Sequence, residues 1–151
     1  MKTSNPLVSV LVLNYNGREH LGECFNSLKE QTYPNCEVIM VDNGSKDDSI
    51  EFVRNNFRWV KILALDRNYG FSEGNNKGVE HAEGELVVFL NNDTRVDKNW
   101  LRELVDVMES DAEIGICGSK MLMYSHPEFI NSTGAEMSLL SGYFWDRGIY
   151  E

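Results

Sequence analysis

The sequence predicts an α/β fold built on an open, mostly parallel sheet. Three observations carry that reading. Four short apolar, β-branched-rich runs recur along the chain, each compatible with a strand buried on both faces. Segments with helical spacing of apolar residues separate them, which implies βαβ crossovers. Every run ends in a polar, turn-forming cluster, and in such sheets ligands bind outside the carboxyl ends of the strands.

The first run is Leu7 to Leu13, broken by Asn14-Tyr15-Asn16-Gly17. Leu21, Cys24, Phe25 and Leu28 then mark a helix that should end near Gln31, because Pro34 follows. Glu37 to Val41 is the second strand, closed by Asp42-Asn43-Gly44-Ser45. Ser45 and Asp48 resemble a capping box opening a helix with Ile50, Val53 and Phe57 turned inward. Val60 to Leu65 is the third strand, followed by a polar glycine-bearing loop from Asp66. A helix is expected from Phe71 or Ser72 to Ala82, and Glu85 to Leu90 is the fourth strand. Asp97 is the expected N-cap of a helix carrying Leu101, Leu104, Val105 and Met108 inward. A fifth strand is expected at Glu113 to Cys117, and shorter ones at Lys120 to Tyr124 and Ala135 to Leu140.

Composition narrows the function. A chain of 151 residues fits one domain, here 1–151, able to bury a core without staples. Its net charge of -10 argues against a general nucleic-acid binder, which needs a basic surface. The three cysteines, Cys24, Cys36 and Cys117, have no C-x-x-C spacing, so they are expected as buried small hydrophobes in a reducing cytoplasm. The apolar run at Leu7 is far shorter than the ~20 residues of a membrane span.

Four polar clusters should meet on one rim of the sheet. In Asn91-Asn92-Asp93, one carboxylate flanked by amide oxygens suits a hard divalent cation, and the same residues also make an ordinary turn. Asp42-Asn43 can hydrogen-bond a base or ribose, or simply form an Asx turn. Tyr15 offers a ring for a base to stack on, or marks the sheet margin. The segment 68–78, with Asn68, Gly74 and Asn75, brings glycines and a helix start to where a phosphate could sit, or lets the helix pack closely on the sheet.

Taken in order and spacing, these motifs resemble the inverting family-two glycosyltransferases of the GT-A fold. They are Val8-Ser9-Val10 through Asn14-Tyr15-Asn16, Val41 to Ser45, Asn68 to Ser72 with Gly74-Asn75-Asn76-Gly78, and Leu90 to Thr94. The asparagine-rich variants look most like the rhamnosyltransferase-like branch. The resemblance covers about Pro6 to Cys117. It implies a Rossmann-like sheet with helices on both faces, a nucleoside-diphosphate-sugar donor, Mg²⁺ or Mn²⁺, and a saccharide or lipid-linked acceptor. By resemblance, Tyr15 borders the base and Asp42 with Asn43 contacts base or ribose. Asn14, Asn16, Asn68, Gly74, Asn75, Asn91 and Asn92 line the donor pocket, and Asp93 ligates the metal. Asn91 stands where the family's D-x-D signature has its first Asp. No motif matches the family's base, which is expected beyond residue 151. Glu136 and Asp146 are acids without a role, and such domains run roughly 100 residues longer. The setting implied is cell-surface polysaccharide synthesis at the cytoplasmic face of the membrane. The alternative is a nucleotide-sugar-binding module or inactive homologue without turnover. A dehydrogenase fits less well, lacking a glycine fingerprint after the first strand, and a receiver domain would need acids where Asn14 and Asn16 stand.

Overall fold

The computed structural model describes residues 5–137 and 144–146. The chain divides into two compact units, Met1–Asn99 and Trp100–Glu151. The first holds β1 (Val8–Asn14), α1 (Arg18–Lys29), β2 (Cys36–Asp42), α2 (Ser49–Asn56), β3 (Lys61–Ala64), α3 (Gly70–Val79) and β4 (Leu86–Asn91).

The four strands form one parallel sheet in the order β3-β2-β1-β4. Its register aligns the strand tips: Asn14 sits beside Asp42, and Leu13 beside Asn91. Strand order reverses between β1 and β4, so the switch point lies between their carboxyl ends.

Strand alternation splits the core into two faces. Leu11, Ile39 and Val41 are buried on one, with Leu13, Leu63, Leu65, Ala82 and Val87 packed around them. Helix α3 covers this face. A Cβ on Gly78 would lie 2.7 Å from Val41 Cγ2, and one on Gly74 2.9 Å from Leu13 Cδ1, so small residues let the helix settle onto the sheet. Val8, Val10, Val12, Val38 and Met40 are buried on the other face. Right-handed crossovers put α1 and α2 there, because β1 to β3 step one way across the sheet and β4 returns. Each buried aliphatic side chain contributes roughly 1.5–3 kcal/mol of transfer free energy.

The second unit holds α4 (Trp100–Ser110) and two short antiparallel pairs. These are β5 (Met121–Leu122) with β6 (Ile130–Ser132), and β7 (Ala135–Met137) with β8 (Phe144–Asp146). Within α4, Leu101 and Val105 are buried. The indole of Trp100 donates to Ser119 Oγ at 2.7 Å.

Several expectations are corrected. Residues 113–117 form no strand, and Ile116 is 92% exposed. The expected strand at 120–124 shrinks to Met121–Leu122, and that at 135–140 to Ala135–Met137, with 138–140 outside the described residues. Ser45 caps no helix, because α2 begins at Ser49 and Ser45 Oγ is bonded to Asn14 and Asn16 instead. Helix α3 starts at Gly70 and stops at Val79, ahead of both expected ends. Asp97 receives the Asn99 amide at 2.8 Å in a turn that precedes α4. The cysteines are free, but only Cys24 is buried, with Cys36 and Cys117 half-buried. Among the described residues no helix is long and apolar enough to cross a membrane.

Candidate functional site: an asparagine-laced cleft at the strand tips

The loops after all four strands of the first unit meet at one rim. An open cleft of about 400 Å³ lies there, lined by Leu13, Tyr15, Asn43, Asn68, Gly70, Phe71, Asn91, Asn92 and Asp93. Tyr15 is 48% exposed, so its ring is free to stack.

Two hydrogen-bond networks hold the rim. The first centres on Asn14, whose side chain is fully buried. Its Nδ2 donates to Asp42 Oδ1 at 3.0 Å and to Ser45 Oγ at 3.2 Å, and its Oδ1 accepts Asn92 Nδ2 at 2.7 Å. Asp42 Oδ2 accepts the Ser45 amide at 3.0 Å. The second centres on Asn43. Its Nδ2 donates to Asn68 Oδ1 at 3.0 Å and the Gly70 carbonyl at 2.9 Å, and its Oδ1 accepts the Tyr69 amide at 2.9 Å. Asn68 Oδ1 also accepts the Gly70 amide at 2.7 Å, which tightens the entry to α3. Buried amides satisfied in this way fix loops without adding formal charge.

The expected residues therefore divide. Tyr15, Asn43, Asn68, Asn91, Asn92 and Asp93 line the cleft. Asn14 and Asp42 stand behind it, buried and bonded to one another. Asn16 joins the first two loops from outside, with a left-handed φ of 51° and its Oδ1 accepting the Lys46 amide at 2.7 Å. Gly74 packs against Leu13, and Asn75 is turned into α3, donating to the Phe71 carbonyl at 3.1 Å.

Phe71 was not among the expected residues, yet it lines the cleft at 63% exposure. Its signal in the sequence was an aromatic residue inside a polar, glycine-rich stretch. Arg67, on the loop after β3, and Lys77 of α3 lie over the Tyr69 ring at 4.7 and 4.3 Å from its centre. The Tyr69 hydroxyl donates to Asp66 at 2.8 Å and holds that carboxyl below its usual range.

The chemistry of the donor set suits a cation that brings its own ligands. Among the described residues there is no group of three or more His, Cys, Asp or Glu that could hold a metal. Asp93, exposed beside two asparagine amides, fits Mg²⁺-like binding, where one carboxylate combines with substrate phosphates and water. Its charge is felt locally: burial, and then the Asp93 carboxylate, push the Cys24 thiol up to about 12.

Residues 9–143 match the model of glycosyl transferase family 2. The chain belongs to that family. It is 36% identical over 115 residues to the glycosyltransferase GlyG of Streptococcus pneumoniae, covering 73% of this chain and 38% of that protein. It is 34% identical over 113 residues to the glycosyltransferase AglE of Haloferax volcanii, covering 72% of this chain and 37% of that one. Among solved structures, the mannosyltransferase PcManGT from Pyrobaculum calidifontis, in complex with GDP-Man and Mn²⁺, superposes with a TM-score of 0.68 at 28% identity. That match covers 75% of this chain and 35% of the mannosyltransferase. The fold is thus that of the GT-A glycosyltransferases. The chain spans little more than a third of the length of these relatives.

Proposed function

We propose that this family 2 chain forms the donor-binding part of an inverting glycosyltransferase acting in cell-surface polysaccharide synthesis. The observation that carries this reading is the cleft at the β1/β4 switch point, where an exposed Tyr15 and an exposed Asp93 share one wall system. The donor is a nucleoside-diphosphate sugar. Tyr15 stacks on its base, while Asn43 and Asn68, with Asp42 behind them, shape the base and ribose side. Asn91 faces the diphosphate, and Asp93, with Asn92 beside it, holds Mg²⁺ or Mn²⁺. The mannosyltransferase's complex with GDP-Man and Mn²⁺ supports a nucleotide-sugar donor and a divalent cation.

In the proposed reaction the acceptor hydroxyl oxygen bonds to the anomeric carbon as the bond from that carbon to the diphosphate breaks. The diphosphate leaves with the bond electrons, and the hydroxyl proton passes to a carboxylate base. A divalent cation supplies neutralisation of the charge on the leaving diphosphate when bound. The cleft residues named above are given donor-binding roles, and none of them is assigned as that base. The asparagine-rich motifs favour the rhamnosyltransferase-like branch, with a saccharide or lipid-linked acceptor presented at the inner face of the membrane.

Calorimetric titration of the chain with UDP, GDP and dTDP, with and without Mn²⁺ or Mg²⁺, tests the proposal. One nucleotide should bind, more tightly with the cation. Asp93→Ala should cut the cation-dependent affinity roughly a hundredfold, about 2.7 kcal/mol. A folded chain that binds none of the three overturns the donor-site reading. Full cation dependence in Asp93→Ala overturns the role of Asp93.

A further inference from the structure

The hydrogen bonds of Asn14 decide which end of Asn92 faces the cleft. Both hydrogens of the Asn14 amide are donated, to Asp42 Oδ1 and Ser45 Oγ. The side chain is fully buried, so its Oδ1 has only an acceptor's role left. Asn92 must therefore meet it with Nδ2, at 2.7 Å. The flipped amide would set two carbonyl oxygens against each other at that distance. Asn92 lines the cleft beside Asp93, and the amide oxygen is the acceptor this arrangement leaves for a ligand. A carbonyl oxygen suits a hard cation, whereas an amide N–H suits a phosphate oxygen.

A second observation concerns Gly17. Its φ of -112° and ψ of 31° do not call for glycine. Space does: a Cβ there would lie 2.1 Å from Asn92 Nδ2 and 2.8 Å from Asn14 Oδ1. The glycine is the seat on which the Asn92 amide rests. A methyl group at this position presses on the ends of two side chains, chiefly Asn92 and then the buried Asn14, and meets no backbone atom among its three nearest neighbours.

The geometry points to Asn14 and Gly17 as positioning residues that lock Asn92 with its amide oxygen turned toward the cation at Asp93. This rests on the donor-cleft reading above. Because Asn14 also holds Asp42, one buried amide sets the β2 and β4 tips relative to each other.

The test measures the factor by which Mn²⁺ tightens binding of UDP, GDP or dTDP to the full chain. Gly17→Ala should lower that factor about five- to tenfold, within the usual range for residues in one network. Metal-free affinity per folded molecule should stay unchanged. Asn92→Ala should lose the same factor. The Gly17→Ala/Asn92→Ala double variant should lose nothing more, since the seat matters only when the amide is there. In the ligand-free chain, exchange of the Asn92 side-chain amide protons, read by NMR, should be slow and should quicken in Gly17→Ala. An undiminished Mn²⁺ factor in Gly17→Ala, or additive losses in the double variant, overturns the positioning role while leaving the donor cleft standing. An unsubstituted chain that binds no nucleotide overturns both.

Discussion

The two ends of the four-stranded sheet are sewn together with different chemistry. At the amino ends, charges do the work. Ser9 of β1 donates to Glu37 Oε1 of β2, and the Gly84 amide just before β4 donates to Ser9 Oγ at 2.8 Å. The Glu83 amide reaches Glu37 Oε1 at 2.8 Å. Lys61 of β3 pairs with Glu37 at 2.7 Å and Glu83 at 3.1 Å. At the carboxyl ends the same four strands are joined through Asn14, Asn43, Asn68 and Asn92, all neutral. Amides hold the loops there without competing for an anionic ligand or its cation, and Asp93 is the charged residue among those that line the cleft. The clasp at the opposite end lies away from that cleft and uses an ion pair.

Two glycines give the sharpest contrast. Gly44, at the rim, has φ of 75°, and a Cβ would lie 2.6 Å from the Arg67 carbonyl carbon. Gly44→Ala should cost about 3 kcal/mol, combining left-handed strain with a backbone clash, and should also weaken nucleotide binding. Gly84, at the clasp, would place a Cβ 2.6 Å from the Ser9 amide nitrogen. Gly84→Ala should cost roughly 2 kcal/mol and leave nucleotide affinity per folded molecule unchanged. Chemical denaturation with parallel calorimetry separates the two effects. Equal binding losses would erase the distinction between the ends.

Tyr15→Ala probes the rim from the other side. With the ring 48% exposed, unfolding temperature should not move, whereas nucleotide affinity should fall by about 1–3 kcal/mol of stacking. Glu37→Gln probes the clasp. Burial alone would raise the Glu37 pKa, but the Lys61, Ser9 and Glu83 contacts outweigh it and hold the carboxyl below 4.5. A depressed folded-state pKa stabilises above the unfolded value and loses that stabilisation as pH falls through the folded value. The native chain should therefore lose stability below about pH 4.5, and Glu37→Gln, weaker by about 1 kcal/mol at pH 7, should show a flatter acid limb in thermal melts.

Much of the first unit was legible because its signals are strong and local. Each strand β1 to β4 matches an expected apolar run to within one residue at either end, and the crossover rule turns that list into a rim where the polar tips converge. Capping was harder to read. Ser45 has the spacing of a helix cap, but its hydroxyl is claimed by residues about thirty positions earlier, a long-range competition invisible to local patterns. Residues 113–117 carry the right apolar content for a strand and form none. Within the site, the letters could not say which asparagines line the cleft and which brace it. Asn14 and Asn92 use the same amide at opposite ends of one hydrogen bond, and only their burial tells them apart. The need for Gly17 was equally hidden, because its neighbour lies 75 positions away.

The chain contains two Asn-Gly steps at this rim, the dipeptide most open to succinimide closure and deamidation. Asn43-Gly44 is shielded, its amide held by three hydrogen bonds and only 2% exposed. At Asn16-Gly17 the asparagine is exposed while the glycine is buried, and one hydrogen bond holds the Asn16 side-chain oxygen. During prolonged storage at mildly alkaline pH, peptide mass mapping should find conversion to aspartate and isoaspartate at Asn16 well before Asn43. The added backbone methylene of isoaspartate would fall next to the seat of Asn92, so ageing of the sample should erode cation-assisted binding before it erodes the fold.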